Sequence, residues 1–238
     1  MPVRTGPKTP FRAIILDFDG LIIDSETPLF DIWQAIYASH GGTLTLDQWQ
    51  HALGTENGFD EYAELTRQTG VILTRETWRE SVRAQLTSRC ETEPLQPGVL
   101  DRLLEAKRGA LGTAVASSSA ASWVEPWLDR HDLRRHVDVV CTRDHVSRVK
   151  PAPDLFLLAA ARLGVEPESC VVFEDSPNGL RAARAAGMWA VAVPRGLTKH
   201  LPLPDPHLVI ESLAACTLLD LAMRLSGGTD DGPGAARG

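Results

Sequence analysis

Across residues 98–193, short apolar runs alternate with helical patterns, and that alternation restricts the fold more than any other feature of the chain. The runs at residues 111–116, 137–140, 170–173 and 188–193 are too short for helices and are rich in Val or flanked by Gly and turn residues. Helical patterns cover residues 99–107, 122–129, 153–163 and 177–186, the last two ending at Gly164 and Gly187. Runs that lack a polar face are buried on both sides, so the repeat predicts a parallel sheet covered by helices. Residues 13–16 add an earlier strand, and residues 208–210 a later one before a helix over 212–225. The expected fold class is therefore α/β, a Rossmann-like parallel sheet with helices on both faces.

The stretch from about residue 25 to 93 breaks the alternation. Pro28 reads as a first helical position, and Leu29, Ile32, Trp33, Ile36 and Tyr37 form one apolar stripe behind it. Residues 46–53, 59–68 and 75–89 read as three more helices, the last with a stripe of Trp78, Val82 and Leu86. A proline-rich link, residues 93–98, returns the chain to the sheet as a stiff hinge. The expected organisation is a catalytic core of residues 11–24 and 95–225, an inserted α-helical cap domain of residues 25–94, and a glycine-rich disordered tail of residues 226–238. With about 150 residues per domain as a guide, 238 residues suit a main domain with a smaller insertion.

Composition narrows the function classes. A chain 43% hydrophobic and 23% charged is an ordinary globular protein, and its formal charge of −7 comes without any basic cluster able to neutralise a run of phosphates. Nucleic acid is therefore not an expected partner. The apolar run after the N-terminal stretch is too short for a signal sequence or a membrane span, which makes the cytoplasm the expected location and a membrane no partner. Cys90, Cys141, Cys170 and Cys216 are scattered, with no spacing of a disulfide scaffold or zinc site. No coiled-coil pattern is present; the oligomeric state stays open, with a monomer the working expectation.

Two acidic pairs stand at the ends of predicted strands. Asp17 and Asp19 follow residues 13–16, and Glu174 and Asp175 follow residues 170–173. Asp19-Gly20 alone is also a hairpin signal, and Ser176-Pro177 makes the second pair equally readable as a helix start. In a parallel sheet, however, both pairs reach the carboxyl edge, where up to four carboxylates converge. Such a cluster is unfavourable unless a cation neutralises it, and an all-oxygen ligand set suits Mg²⁺ better than zinc. Ser117, Ser118 and Ser119 end another strand and offer hydroxyls and N–H groups to phosphate oxygens. Lys150, one of only four lysines, stands just before a helix where it could balance acids and grip an anion.

The segments DFDGLIIDSE, VASSS, KPAP and FEDSPNG, in this order, resemble the haloacid dehalogenase superfamily, in its branch with a helical cap after the first motif. That branch includes β-phosphoglucomutase and small-metabolite phosphatases, and the resemblance covers roughly residues 11–195. It implies Asp17 as the nucleophile that takes a phosphoryl group and Asp19 as general acid and base. It implies Ser117, with Ser118 beside it, and Lys150 as phosphate ligands. Mg²⁺ would be held by Asp17, Asp175 and the backbone carbonyl of Asp19, with Glu174 a ligand or a water-linked neighbour. The partner so implied is a small phosphomonoester.

Departures from the branch sort its activities. Dehalogenation has no need of an acid at Asp19, and a Schiff-base hydrolase needs a cap lysine that residues 24–93 lack. A mutase would be expected to carry a histidine near position 29 and an arginine after Gly54, where this chain has Leu29 and Thr55-Glu56-Asn57-Gly58. Simple hydrolysis is the expected reaction, with a phosphosugar mutase and a non-catalytic binding protein as the alternatives. Glu56 and Asn57 are the expected contacts to the leaving group. The aromatic residues Trp33, Tyr37, Trp49, Phe59 and Trp78 read as core.

Overall fold

The computed structural model describes residues 10–55 and 58–227. Six strands form one sheet in the order β3-β2-β1-β4-β5-β6, every neighbouring pair parallel. They are β1 (Ala13–Leu16), β2 (Gly112–Ala116), β3 (Val139–Cys141), β4 (Cys170–Glu174), β5 (Trp189–Ala192) and β6 (Leu208–Val209). The order turns at β1 and β4, the point where an open parallel sheet of this kind leaves its ligand crevice. Alternate residues along each strand serve two different cores. Ile14, Leu16, Val115, Val171, Phe173 and Val191 enter one apolar cluster, and Ala13, Ile15, Ala114, Ala116, Val172, Ala190 and Ala192 enter the other. Helices cover both faces, as the unbroken apolar runs require.

The larger cluster takes in α5 (Val99–Arg108), α6 (Ala121–Arg130) and α9 (Leu218–Gly227) through Val99, Leu103, Val124, Leu128, Leu218 and Leu221. The alanine-rich face packs against α7 (Asp154–Leu163) and α8 (Pro177–Ala185) through Leu155, Phe156, Ala159, Leu180 and Ala183. Between β1 and α5 run four helices: α1 (Glu26–Ser39), α2 (Leu46–Trp49), α3 (Glu61–Thr69) and α4 (Arg75–Cys90). Their apolar residues, among them Trp33, Trp49, Leu65 and Leu86, join the larger cluster, so this insert shares one continuous core with the sheet. Among the described residues no helix is long and apolar enough to cross a membrane.

Local chemistry moves several boundaries from those expected. Pro28 is the third residue of α1, which starts at Glu26 because Asp24 Oδ1 accepts the Thr27 N–H at 3.0 Å; a proline in the first turn has no intrahelical partner to lose. The expected helix over residues 46–53 stops at Trp49 after a single turn that Thr45 and Gln48 cap reciprocally. The expected helix over residues 212–225 divides. A short 3-10 turn at Leu213–Ala215 precedes α9, whose start is fixed by Thr217 and Asp220 bonding to each other's backbone N–H at 3.0 Å. Ser226 and Gly227, expected in the tail, complete α9, and residues 228–238 lie outside the described part.

Candidate active site

The register of the sheet brings the two acidic motifs together. Leu16 pairs with Phe173, and the Asp17 N–H continues the ladder by donating to the Phe173 carbonyl at 3.0 Å, which sets Asp17 beside Glu174. Lys150 reaches the same spot from the loop before α7. Its ammonium donates to Glu174 Oε1 at 2.6 Å and to Asp17 Oδ1, and it is wholly buried. Glu174 Oε2 accepts from the N–H and hydroxyl of Ser176, at 2.9 and 3.0 Å, so both of its oxygens are engaged.

Charge balance at this spot is incomplete. Burial foremost, then the negative charge of Glu174, pushes the Asp17 carboxyl up to about 8, although Lys150 pulls the other way. Burial alone would weaken the Lys150 ammonium as an acid partner, but Asp17 and Glu174 together hold its pKa above the ordinary lysine value. Asp175 is also buried, and burial followed by the charges of Glu174 and Asp17 raises its carboxyl well above the usual range. Oxygens of Asp17, Glu174 and Asp175 lie within 4.8 Å of one another. Against three acids stands one ammonium, and Asp175 Oδ1 is buried with no hydrogen-bond partner. An orphaned carboxylate oxygen in an all-oxygen cluster is the chemistry of a hard divalent cation, so the residues fit such an ion. Gly20 lets the chain pass close by: its φ is +83°, and a β-carbon there would lie 2.1 Å from Asp175 Oδ2.

Asp19 stands apart from that cluster and accepts four hydrogen bonds. Ser25 Oγ and Trp123 Nε1 donate to Oδ1 at 2.7 and 2.8 Å, and Ser119 Oγ and Ser117 Oγ donate to Oδ2 at 2.6 and 3.2 Å. The Asp19 side chain is not one of the three clustered acids. Ser118 faces elsewhere, its hydroxyl donating to the Gly54 carbonyl at 2.8 Å. Asn178 of α8 donates to the neighbouring Leu53 carbonyl at 2.9 Å, so the loop after α2 is held on the carboxyl edge of the sheet from two sides. Gly54 is required there, with φ +71° and room for no β-carbon, which would come within 2.3 Å of Ser176 Oγ.

Asp17, Asp19, Ser117 and Ser118 line a cavity of about 490 Å³ whose far wall is the helical insert. Trp33, Trp49 and Phe59, expected in the core, are in its lining as well as in or against the apolar cluster, and Leu29 of the first apolar stripe joins them. Arg75, Arg79 and Arg83 also line it, one helical turn apart on α4. The sequence offered that spacing, but only the apolar stripe of the helix pointed anywhere. Glu26 is a second addition: burial first, then Asp19, Asp17 and Asp24, raises its carboxyl well above the usual range. Ser25 and Trp123 were equally unmarked, and Ser119, expected to face phosphate oxygens, gives its hydroxyl to Asp19 instead. The expected leaving-group contacts Glu56 and Asn57 lie outside the described residues.

Residues 14–193 match the family model described as haloacid dehalogenase-like hydrolase. The chain belongs to that family. Among relatives of this hydrolase, YhcW of Bacillus subtilis (strain 168) is 41% identical over 207 residues, covering 87% of this chain and 94% of YhcW. Fructose-1-phosphate phosphatase YqaB of Escherichia coli (strain K12) is 34% identical over 187 residues, covering 77% of this chain and 96% of its own. The crystal structure of CbbY from Rhodobacter sphaeroides in complex with phosphate aligns with a TM-score of 0.71 at 28% identity, over 86% of this chain and 95% of that one. The hydrolase is thus an enzyme whose relatives include named phosphatases of small phosphorylated sugars.

Proposed function

We propose that this hydrolase is a Mg²⁺-dependent phosphomonoesterase acting on a small phosphorylated metabolite of the sugar-phosphate class, with the insert α1–α4 serving as a cap over the site. The observation that carries the reading is the buried trio of Asp17, Glu174 and Asp175, with a single ammonium between the first two and Asp17 lining a cavity of metabolite size. A carboxylate can approach a phosphate dianion only where that repulsion is offset, and the Lys150 ammonium sits in contact with Asp17 Oδ1. Asp17, Asp175 and the Asp19 backbone would hold Mg²⁺, with Glu174 steering Lys150; when bound, the ion supplies neutralisation of the phosphoryl oxygens.

The chain's own residues then act as follows. Asp17 forms a bond to phosphorus as the ester P–O bond breaks, and the electron pair leaves with the ester oxygen, which takes the proton of Asp19. Asp19, now ionised, accepts a proton from water as that water attacks the same phosphorus and frees the Asp17 carboxylate with inorganic phosphate. Ser117 and Lys150 hold the transferring group. YqaB, by its name, acts on fructose 1-phosphate, which makes ketose and hexitol phosphates the first substrates to try. Leu29 in the cavity wall offers no group for the proton exchange that a mutase needs on the sugar. The assay is phosphate release from a panel of sugar phosphates with Mg²⁺, run beside isomer formation from β-glucose 1-phosphate. Free phosphate without isomer is the expected result; isomer without phosphate, or neither product, would overturn the reading.

Cation binding should be coupled to pH. Asp17 and Asp175 bind protons more tightly folded than unfolded, so the metal-free protein loses stability as pH rises from about 4 to about 8. Lys150 does not offset this, because its own contribution is complete at any pH below the ordinary lysine value. Metal-free protein should therefore melt at a lower temperature at pH 8 than at pH 5.5. Millimolar Mg²⁺ should raise the melting temperature by about 5 °C or more at pH 8 and by much less at pH 5.5, where protons compete. Equal Mg²⁺ shifts at the two pH values would contradict binding at Asp17 and Asp175.

A further inference from the structure

Trp123 lies in none of the acidic or lysine motifs, yet its indole Nε1 donates to Asp19 Oδ1 at 2.8 Å and its side chain is 5% exposed. It sits in the first turn of α6, and Arg83 of α4 covers its ring with the guanidinium carbon 4.5 Å from the centroid. Arg83 has a second anchor, Nη2 donating to the Ser122 carbonyl at 3.1 Å. That carbonyl is open to it because the residue four positions on is Pro126, which has no N–H to close the helical bond. A proline inside α6 thus creates the acceptor on which the insert lands, one residue from the indole that holds Asp19.

We infer that Trp123 is a positioning residue that fixes the Asp19 carboxyl group for proton transfer, and that Arg83 clamps it from the insert. The inference rests on the phosphatase reading and goes beyond it. Of the four donors to Asp19, three are serine hydroxyls, which can turn about and accept; the indole N–H can only donate. Trp123 therefore keeps Oδ1 an acceptor and leaves the transferable proton to Oδ2, the oxygen shared by Ser117 and Ser119. Arg83 holds the indole in place by stacking on its ring while bonding the Ser122 carbonyl beside it. Closure of the insert and orientation of the proton donor are in this way one contact.

The test compares an alkyl phosphate, the best of the sugar panel, with 4-nitrophenyl phosphate, whose phenolate departs without a proton. The quantity read is the ratio of kcat/KM for the alkyl ester to that for the aryl ester, which isolates the steps up to departure of the leaving group. Trp123→Phe keeps the ring and loses the N–H, and should lower this ratio about tenfold with little change in the melting temperature. Arg83→Met should lower it about threefold, and Arg83→Lys, which retains a cation over the indole, should restore most of it. An unchanged ratio in Trp123→Phe, or equal losses on both esters, would overturn the inference while leaving the phosphatase reading intact. Wild-type protein that hydrolyses neither ester would overturn both.

Discussion

Asp17→Asn should lower phosphate release by about 10⁴-fold or more, since the amide cannot form the covalent link that splits the reaction into two steps. The same change should leave the fold intact and make the metal-free protein more stable. Asp17 is one of three buried acids facing one ammonium, and its carboxyl is pushed up to about 8, so a neutral isostere relieves burial and the repulsion from Glu174. Rapid-quench assays and thermal melts without Mg²⁺ check both halves. Turnover within tenfold of wild type would remove Asp17 from the nucleophile's role, and a lower metal-free melting temperature would contradict the charge imbalance described here.

Lys150→Met should be the most damaging single change to stability, costing about 3–5 kcal/mol in urea denaturation together with activity. The ammonium is fully buried between Asp17 and Glu174, and a thioether in its place leaves two carboxylates desolvated without a cation. Adding Asp17→Asn to Lys150→Met should recover part of the loss, because the pair acts as one unit. A cost below about 1 kcal/mol for Lys150→Met would mean the ion pairs are not formed in solution.

Much of the scaffold was legible because it is governed by local rules. Apolar runs without polar alternation announced a sheet covered on both faces, and Gly164 and Gly187 marked where helices stop, with φ of +67° and +72°. Asp17 and Asp175 were legible as a pair because strand ends of a parallel sheet share one edge, so motifs more than 100 residues apart needed no further geometry to be joined, and Lys150 stood out as one of four lysines, just before a helix. The partners of Asp19 were not. Whether an indole or a hydroxyl finds a given carboxylate depends on how α6 leaves β2, and the sequence of Trp123 reads as one more apolar helix position. Arg75, Arg79 and Arg83 were missed for a related reason: charges flanking an apolar stripe ordinarily reach solvent, and only the position of α4 over the cavity, which they line together with Val82 and Leu86, gives them another neighbour. Boundaries moved where a single side chain capped the backbone, as Asp24, Gln48 and Thr217 do.

The seat of the loop after α2 is built from main-chain atoms on the loop's side: Ser118 and Asn178 grip the carbonyls of Gly54 and Leu53. A grip on carbonyls does not read the identity of the side chains that follow, whereas Gly54 is held to one residue type by its dihedral and its neighbour Ser176, and Gly58 by the His51 carbonyl oxygen, 1.7 Å from where a β-carbon would lie. Thr55, which lines the cavity beside this grip, can therefore be exchanged while both bonds stay in place.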